Sequence, residues 1–278
     1  MNKIKKIILP IKEDMEVFEH NLKDIIISCD NFLKDDLISF MFSNQKRLRP
    51  IFVILFSKIL NIEDNIVQKI AIISELIHSA SLIHDDIIDE EKIRRNNIPF
   101  YKKYDSKTAI LLGDWLLAKS LEILSDTNLE ISKIFSKRIL LTITGEIEQN
   151  SSLFKLTDEN QYIEKTFQKT GNLFLAGIES LFTMKEINPD IQNFMINYST
   201  AFQIKNDIKD IKEDSKLGNY TLAMLYYLKD NMDINEAKKL AVSKMLEYKN
   251  KALFFAQKIE QNVYQKTLIE LCKATIGE

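Results

Sequence analysis

Apolar residues recur along almost the whole chain at the spacing of α-helices, and short polar stretches interrupt this pattern. The interruptions fall near residues 43–45, 95–99, 126–128, 188–190, 216–219 and 231–233. Apolar positions every three to four residues form one face of a helix, so the pattern predicts roughly ten helices. Residues 108–124 and 173–182 are apolar on most faces. These two segments are predicted to be central helices that others surround.

Composition favours an all-α fold in a single domain. The 278 residues include only 6 Gly and 4 Pro, whereas a sheet-rich fold needs many tight turns. No linker rich in Ser and Gly separates two parts of the chain, and no repeat with a solenoid period is present. We therefore expect one domain over residues 1–278, built as a bundle of roughly ten or more helices.

Charge and cysteine usage limit the expected partners and compartment. The formal net charge is -2, so the chain has no global attraction for nucleic acid and a small ligand is expected. Cys29 and Cys272 have neither metal-ligand spacing nor a disulfide framework, which fits a reducing cytoplasm. The basic, apolar start is interrupted at Pro10, and apolar runs elsewhere contain charges before about 20 residues. We expect a cytoplasmic protein without a signal peptide or transmembrane segment.

A first acidic cluster follows a strongly apolar helical stretch. Asp85 and Asp89 lie four residues apart, so a helix places them on one face with Asp86 beside them. Carboxylates grouped in apolar surroundings repel one another unless a cation binds. Mg²⁺ fits such a group, because it takes one or two carboxylates and fills its other positions with water and phosphate oxygens. The cluster predicts a Mg²⁺ site for a phosphorylated ligand.

A second acidic cluster contains Asn206, Asp207 and Asp210, again in helical sequence. Either cluster alone also fits an ordinary solvated helix face or partners for nearby lysines. Their similarity favours two halves of one metal site.

Two groups of cations add phosphate-binding chemistry. Lys46, Arg47 and Arg49 open an apolar helix, where acidic residues are normally preferred, so a bound anion is expected there. Arg94 and Arg95 follow the first acidic cluster by about two helical turns and suit the far oxygens of a metal-bound diphosphate. Taken alone, the first group also fits a solvent-facing charged surface. The two groups predict two phosphate subsites.

Together, these features resemble the trans-polyprenyl diphosphate synthases. The ordered motifs that carry the resemblance are Lys46-Arg47-Leu48-Arg49-Pro50, His84-Asp85-Asp86-Ile87-Ile88-Asp89 with Arg94-Arg95, Gly113-Asp114, Gly145-Glu146 with Gln149, Lys169-Thr170, and Phe202-Gln203-Ile204 before the second acidic cluster. The resemblance covers residues from about 46 to 222. It implies the isoprenoid synthase fold, in which helices surround a central cavity.

The resemblance also implies a reaction and a role for each motif. The reaction is the head-to-tail condensation of isopentenyl diphosphate with an allylic diphosphate, whose carbon–oxygen bond ionises when Mg²⁺ stabilises the departing diphosphate. The implied metal ligands are Asp85, Asp89, Gln149, Asn206, Asp207 and Asp210. The implied contacts to the allylic diphosphate are Arg94, Lys169, Thr170 and Gln203, and those to isopentenyl diphosphate are Lys46, Arg49, His78 and Arg95. The implied catalytic residues are Asp85, Asp86, Asp89, Lys169 and Asp207.

Product length and assembly can also be predicted. Ala80 and Ser81 are small, so no aromatic ring closes the space one turn before the first acidic cluster. We expect a long-chain product, with heptaprenyl or octaprenyl diphosphate as the central prediction. The end of the product cavity is then expected among Leu76, Ile77, Leu112, Trp115 and Leu116. The resemblance implies a homodimer, because relatives pair through central helices, and the apolar segment 108–124 offers a suitable face for it.

Three positions depart from the family pattern. Asn206 stands where relatives usually carry Asp, Asn219 where a lysine normally helps to bind diphosphate, and Gln45 where a glycine precedes the basic motif. The uncharged oxygen of Asn206 predicts an active enzyme with a higher Mg²⁺ requirement. Asn206 and Asn219 also leave open a non-catalytic subunit of a heteromeric synthase. A terpene cyclase is a third candidate, but a cyclase has no use for an isopentenyl diphosphate site.

Overall fold

The computed structural model describes residues 3–29, 32–94, 97–216, 218–229 and 232–277, except for the side chains of residues 210 and 212–215. These residues are mainly helical, and the described part of the chain contains no β-strand beyond an isolated bridge between Arg94 and Asn97. The predicted all-α fold is therefore confirmed.

Fourteen α-helices form within the described residues. They are α1 (Lys3–Ile7), α2 (Lys12–Ile27), α3 (Lys34–Phe42), α4 (Leu48–Ile59), α5 (Ile66–Ile88), α6 (Phe100–Lys103), α7 (Ser106–Ser125), α8 (Leu129–Ser151), α9 (Glu159–Thr166), α10 (Asn172–Leu181), α11 (Pro189–Lys216), α12 (Leu222–Lys229), α13 (Ile234–Lys258) and α14 (Val263–Ile276). A π-helical turn, Phe167–Gly171, joins α9 to α10. The predicted interruptions fall between helices or at the ends of helices. The structure has more helices than the roughly ten predicted, because the chain also breaks at short turns that the apolar pattern did not reveal.

The chain forms two compact units. The N-terminal unit is Ile11–Ser132, and the C-terminal unit comprises the described residues of Met1–Pro10 and Lys133–Glu278. The expected single domain over 1–278 remains a prediction.

In the N-terminal unit, α4 and α7 pack against α5. Helix α4 is buried on nearly every face, and Phe52 and Phe56 stack within it. Helix α7 buries one face only, because Ile110, Leu111 and Leu121 are exposed on the isolated chain. The expectation that α7 is surrounded on all sides is not met within one chain.

In the C-terminal unit, α10 is the central helix, as predicted. Nine of its ten residues are buried, and Phe174 meets the ring of Tyr198 on α11 edge to face at 6.0 Å. Helix α11 packs along α13, and the hydroxyl of Tyr198 lies 2.9 Å from Thr275 Oγ1 of α14. This packing fixes α11, which carries the second acidic cluster.

One helix among the described residues, α5, is long and apolar enough to cross a membrane by length and composition, with a mean hydropathy of 1.4. Of that apolar window, 67% is buried inside the protein, as in the core helix of a folded domain.

Candidate active site

The first acidic cluster lies at the C-terminal end of α5. The backbone N–H of Asp89 donates to the carbonyl of Asp85 at 2.8 Å, so the two residues are one helical turn apart, as predicted. Both side chains are half-buried. The helix ends here, and Glu90 takes a left-handed conformation with φ 49°.

A half-buried row of side chains leads along α5 toward these carboxylates. We call it the α5 stripe, and it consists of His78, Ser81, Leu82, Asp85 and Asp89. These positions recur every three to four residues, so they share one face of the helix. The opposite positions are buried in the core, including Leu76 and Ala80. The α5 stripe therefore places the predicted contact His78 two turns before Asp85 on the same face.

Asp86 has a different environment from its two neighbours. Its side chain is only 2% exposed, and Oδ1 accepts a hydrogen bond from Arg94 Nε at 2.5 Å. Arg94 also lies 3.5 Å from Glu91. Asp86 thus holds the segment after α5 and keeps the Arg94 guanidinium beside the first acidic cluster. Arg95 lies outside the described residues.

His84 and Gly113 fix the acidic end of α5 against α7. His84 Nε2 lies 3.2 Å from the carbonyl of Ile110 and 3.6 Å from Asp114 Oδ1. A Cβ at Gly113 would lie 2.2 Å from His84 Nε2, so any larger residue would have to displace the His84 ring. The Gly113-Asp114 motif therefore has a packing role beside the first acidic cluster.

The basic group before α4 divides into a buried and an accessible part. Arg47 is 6% exposed and binds Glu75 at 2.7 Å, Glu19 at 2.9 Å and the carbonyl of Met41 at 2.6 Å. Burial alone would lower the pKa of Arg47, but the carboxylates of Glu75 and Glu19 outweigh it and the pKa is raised. The expectation that all three cations meet an external anion is wrong for Arg47, because its charge is balanced inside the protein.

The other two cations remain available to solvent in part. Lys46 is exposed and Arg49 is half-buried. Gln45 replaces the glycine of the family pattern. Its Nε2 donates to the carbonyl of Phe40 at 2.7 Å and thereby caps the C-terminal end of α3.

The second acidic cluster lies on α11 within a network of hydrogen bonds. Gln203 Nε2 donates to Asp207 Oδ1 at 2.7 Å, and Thr170 Oγ1 donates to Gln203 Oε1 at 2.7 Å. The hydroxyl of Tyr162 donates to Asp207 Oδ2. The structure therefore brings together three predicted site residues and Tyr162, which sequence reasoning missed. Its only sequence signal is a position seven residues, about two helical turns, before Lys169.

Lys169 lies on the π-helical turn and pairs with the acidic residue of another motif. Its Nζ is 3.1 Å from Glu146 Oε1 on α8. A Cβ at Gly145 would lie 2.8 Å from Gln168 Cβ, so this glycine allows α8 to approach the turn closely. Gln149, predicted as a metal ligand, is half-buried on α8 three residues after Glu146. The Gly145-Glu146 and Lys169-Thr170 motifs thus meet in the C-terminal unit.

The remaining predicted positions of this cluster are only partly described. Asn206 is half-buried beside Asp207, and Asn219 is half-buried after α11. The side chain of Asp210 lies outside the described residues.

The donor chemistry of both clusters suits Mg²⁺, because carboxylate and amide oxygens are hard ligands. Among the described residues, no group of three or more His, Cys, Asp or Glu side chains forms a metal site by itself. A cation held by one or two carboxylates and completed by water and phosphate oxygens matches these pairs. The role of each predicted ligand and contact residue remains a prediction.

The residues proposed to close the product cavity separate into two sets. Leu76, Ile77, Leu112 and Leu116 are buried in the packing of the N-terminal unit. Trp115 instead lines an open surface cavity of about 460 Å³ with Ser28 and Lys119. Trp115 therefore differs from the four leucine and isoleucine residues, because it lies at the surface and they lie in the core.

The sequence profile of the polyprenyl synthetase family matches residues 32–253, so the chain belongs to this family. It is 33% identical to a prenyl transferase of Cyanophora paradoxa over 256 residues, which cover 84% of this chain and 79% of the relative. It is 29% identical to heptaprenyl diphosphate synthase component 2 of Bacillus subtilis, over 82% of this chain and 70% of the relative.

The fold is similar to that of solved isoprenoid enzymes. The crystal structure of heptaprenyl diphosphate synthase from Staphylococcus aureus superposes with a TM-score of 0.86, covering 96% of this chain and 98% of the other at 24% identity. The predicted family, fold class and enzyme class are confirmed, and the chain is a prenyltransferase.

Proposed function

We propose that this chain condenses isopentenyl diphosphate head-to-tail onto an allylic diphosphate and produces a long-chain all-trans polyprenyl diphosphate. The observation that carries the proposal is the α5 stripe, which ends in two half-buried carboxylates one turn apart. An apolar helix that ends in hard metal ligands suits a substrate with a diphosphate head and a hydrocarbon tail.

The proposed cofactor is Mg²⁺, which when bound stabilises negative charge on the departing diphosphate. The residues proposed to hold it are Asp85, Asp89, Gln149, Asn206, Asp207 and Asp210. The uncharged amide oxygen of Asn206 would raise the Mg²⁺ requirement, and a lowered requirement in an Asn206→Asp variant would support this.

Two cations of the proposed site are paired with carboxylates in the absence of substrate. Asp86 holds Arg94, and Glu146 holds Lys169. Fixed cations stabilise charge that develops on a leaving group without the cost of reorganising them during the reaction. Arg94, Lys169, Thr170 and Gln203 would contact the allylic diphosphate.

A separate set of residues would receive isopentenyl diphosphate. Lys46 and Arg49 would bind its phosphates together with Arg95 and His78. His78 supports this assignment by its position on the α5 stripe.

The small residues before the acidic cluster support a long product. Ala80 is fully buried and Ser81 is half-buried, so neither presents a bulky side chain one turn before Asp85. We propose a heptaprenyl or octaprenyl product.

We also propose a homodimer that pairs through α7. Leu111 is 68% exposed, and Ile110 and Leu121 are exposed on the same helix. An exposed apolar face of this kind is unfavourable in water and suits burial against a second copy. Cys29 and Cys272 are buried as thiols, which fits the cytoplasmic location that we propose.

A second candidate is a non-catalytic component of a heteromeric synthase. Asn206 and Asn219 favour it, since each removes a charge from a predicted ligand position. The paired Lys169 and Glu146, and the paired Arg94 and Asp86, favour the active enzyme because the site cations are retained and held in place.

The two candidates are distinguished by the products of the purified chain. Farnesyl diphosphate, labelled isopentenyl diphosphate and Mg²⁺ should give extended polyprenyl diphosphates, whose length is measured after removal of the phosphates. An Asp89→Asn variant is the control for synthesis at the proposed site. No extended product from the pure chain would favour the component.

A further inference from the structure

Tyr162 contacts the second acidic cluster although no sequence motif contains it. It lies on α9, its side chain is only 7% exposed, and its hydroxyl donates to Asp207 Oδ2. Gln203 donates to the other carboxylate oxygen at 2.7 Å. We propose that Tyr162 is a positioning residue, which fixes the Asp207 carboxylate in the orientation that binds the divalent cation. This inference rests on the proposed function.

The hydrogen bonds fix the orientation of each member of the network. Thr170 donates to Gln203 Oε1, so the amide of Gln203 presents its nitrogen to Asp207. Gln203 and Asp207 are four residues apart on α11 and occupy adjacent turns. Three backbone segments, α9, the π-helical turn and α11, therefore converge on one carboxylate.

The chemistry of the donors suits a metal ligand. A carboxylate has about four sites that accept hydrogen bonds or metal ions, so the hydrogen bonds from Tyr162 and Gln203 do not by themselves fill it. The hydroxyl of Tyr162 and the amide of Gln203 are uncharged donors, so their hydrogen bonds orient the Asp207 carboxylate without adding a positive charge beside it. Mutation of a residue that orients a metal ligand commonly lowers metal affinity by about 10–100-fold.

Helix α9 is anchored well enough to hold Tyr162 in place. Asp158 and Gln161 form a reciprocal capping box at its start. Glu159 accepts a hydrogen bond from Tyr226 at 2.7 Å and pairs with Lys244 of α13 at 2.7 Å. These contacts lie within the first turn of α9, directly before Tyr162. A residue that positions a metal ligand needs such a support.

The test uses Tyr162→Phe, which removes the hydroxyl and keeps the ring. Tyr198→Phe is the matched control, because it also removes a buried hydroxyl that bonds within the C-terminal unit, to Thr275. Binding of Mn²⁺ to the full chain without substrate is measured by electron paramagnetic resonance. The Mg²⁺ concentration for half-maximal elongation of farnesyl diphosphate is measured in parallel. Tyr162→Phe and Tyr198→Phe are also each combined with Asp207→Asn. Metal binding and elongation of all variants are measured below their melting temperatures.

We expect Tyr162→Phe to raise the Mn²⁺ Kd and the half-maximal Mg²⁺ concentration about tenfold, with kcat restored at saturating Mg²⁺. Tyr198→Phe should change neither by more than about twofold. In the Asp207→Asn background, Tyr162→Phe should cause no further increase in the Mn²⁺ Kd, because Tyr162 acts through the Asp207 carboxylate.

Three results would overturn the inference: unchanged metal binding in Tyr162→Phe, an equal effect of Tyr198→Phe, or an undiminished effect of Tyr162→Phe in the Asp207→Asn background. If the wild-type chain forms no product, the proposed function fails. The Mn²⁺ series still determines whether Tyr162 positions Asp207.

Discussion

At the scale of single residues, charged side chains of the same sequence motif differ in how deeply they are buried. Arg47 and Arg49 belong to one basic motif, yet Arg47 is buried with Glu75 and Glu19 whereas Arg49 is half-buried. The sequence indicates where such charges lie, but the packing of distant parts of the chain decides how deeply each one is buried. Glu75 gives one signal, because it is a lone acid in an apolar stretch of α5.

Replacement of Glu75 by Gln should destabilise the protein. The change leaves the buried Arg47 with less compensating charge, at a cost of about 2 kcal/mol of unfolding free energy. Urea unfolding measures the difference. Glu16→Gln is the control, since Glu16 forms an exposed pair with Lys12 and should change stability by less than about 0.5 kcal/mol. An equal stability of the two variants would refute the structural role of Arg47.

A carboxylate that links α3 to α6 predicts a dependence of stability on pH. Hydrogen bonds from Lys103 and then Tyr104 hold the pKa of Asp36 below its ordinary value of 3.8. A lowered folded pKa contributes stability that is fully present above the unfolded value and is lost as pH falls through the folded value.

The stability difference between wild type and Asp36→Asn should therefore be largest above about pH 4 and should shrink in stronger acid. Urea titrations at several pH values measure this change. A difference that stays constant or grows as pH falls would contradict the assignment.

At the scale of helices, sequence periodicity predicts the elements better than their local irregularities. The predicted interruption at 43–45 separates α3 from α4. Helix α11 begins at Pro189, within the predicted interruption at 188–190. The π-helical turn was not predicted, because its sequence does not differ from ordinary helical sequence. A Cβ at Gly171 would lie 2.3 Å from the ring of Phe167, so this turn depends on close packing that a one-dimensional pattern does not contain.

Gly113→Ala should disturb the acidic end of α5. The added methyl group would overlap the ring of His84, with an expected loss of about 1–3 kcal/mol and a higher Mg²⁺ requirement for elongation. Thermal unfolding and Mg²⁺ titration measure the two effects.

The double variant His84→Ala with Gly113→Ala is the control for this mechanism. Its destabilisation should be smaller than the sum of the two single changes, because the ring that causes the overlap is absent. Strict additivity would show that Gly113 acts through another contact.

At the scale of the whole molecule, the sequence predicted the fold class and the family, and the structure divides the chain into two units. Asp85 lies in the N-terminal unit and Asp207 in the C-terminal unit. Their joint action on one diphosphate stays a prediction, because helical periodicity fixes local faces and leaves long-range placement undetermined. The exposed face of α7 is a second example, since the sequence does not show whether an apolar segment packs in the core or against a second copy of the chain.

The proposed homodimer predicts that Leu111→Glu gives a monomer. A charge on both copies of this exposed apolar position would be buried without a partner, which opposes association. Light scattering after gel filtration measures the molar mass. Val17→Glu, at an exposed position of α2, is the control and should remain dimeric. A dimeric Leu111→Glu variant would exclude this face as the interface.

The most direct measurement is the Mg²⁺-dependent elongation of farnesyl diphosphate with labelled isopentenyl diphosphate by the pure chain, compared with Asp85→Asn and Asp207→Asn. We predict extended products that require Mg²⁺, with rates about 100-fold lower in both variants, because each cluster would lose a charged metal ligand. An inactive wild-type chain, or a variant in either cluster that elongates as fast as wild type, would contradict the account.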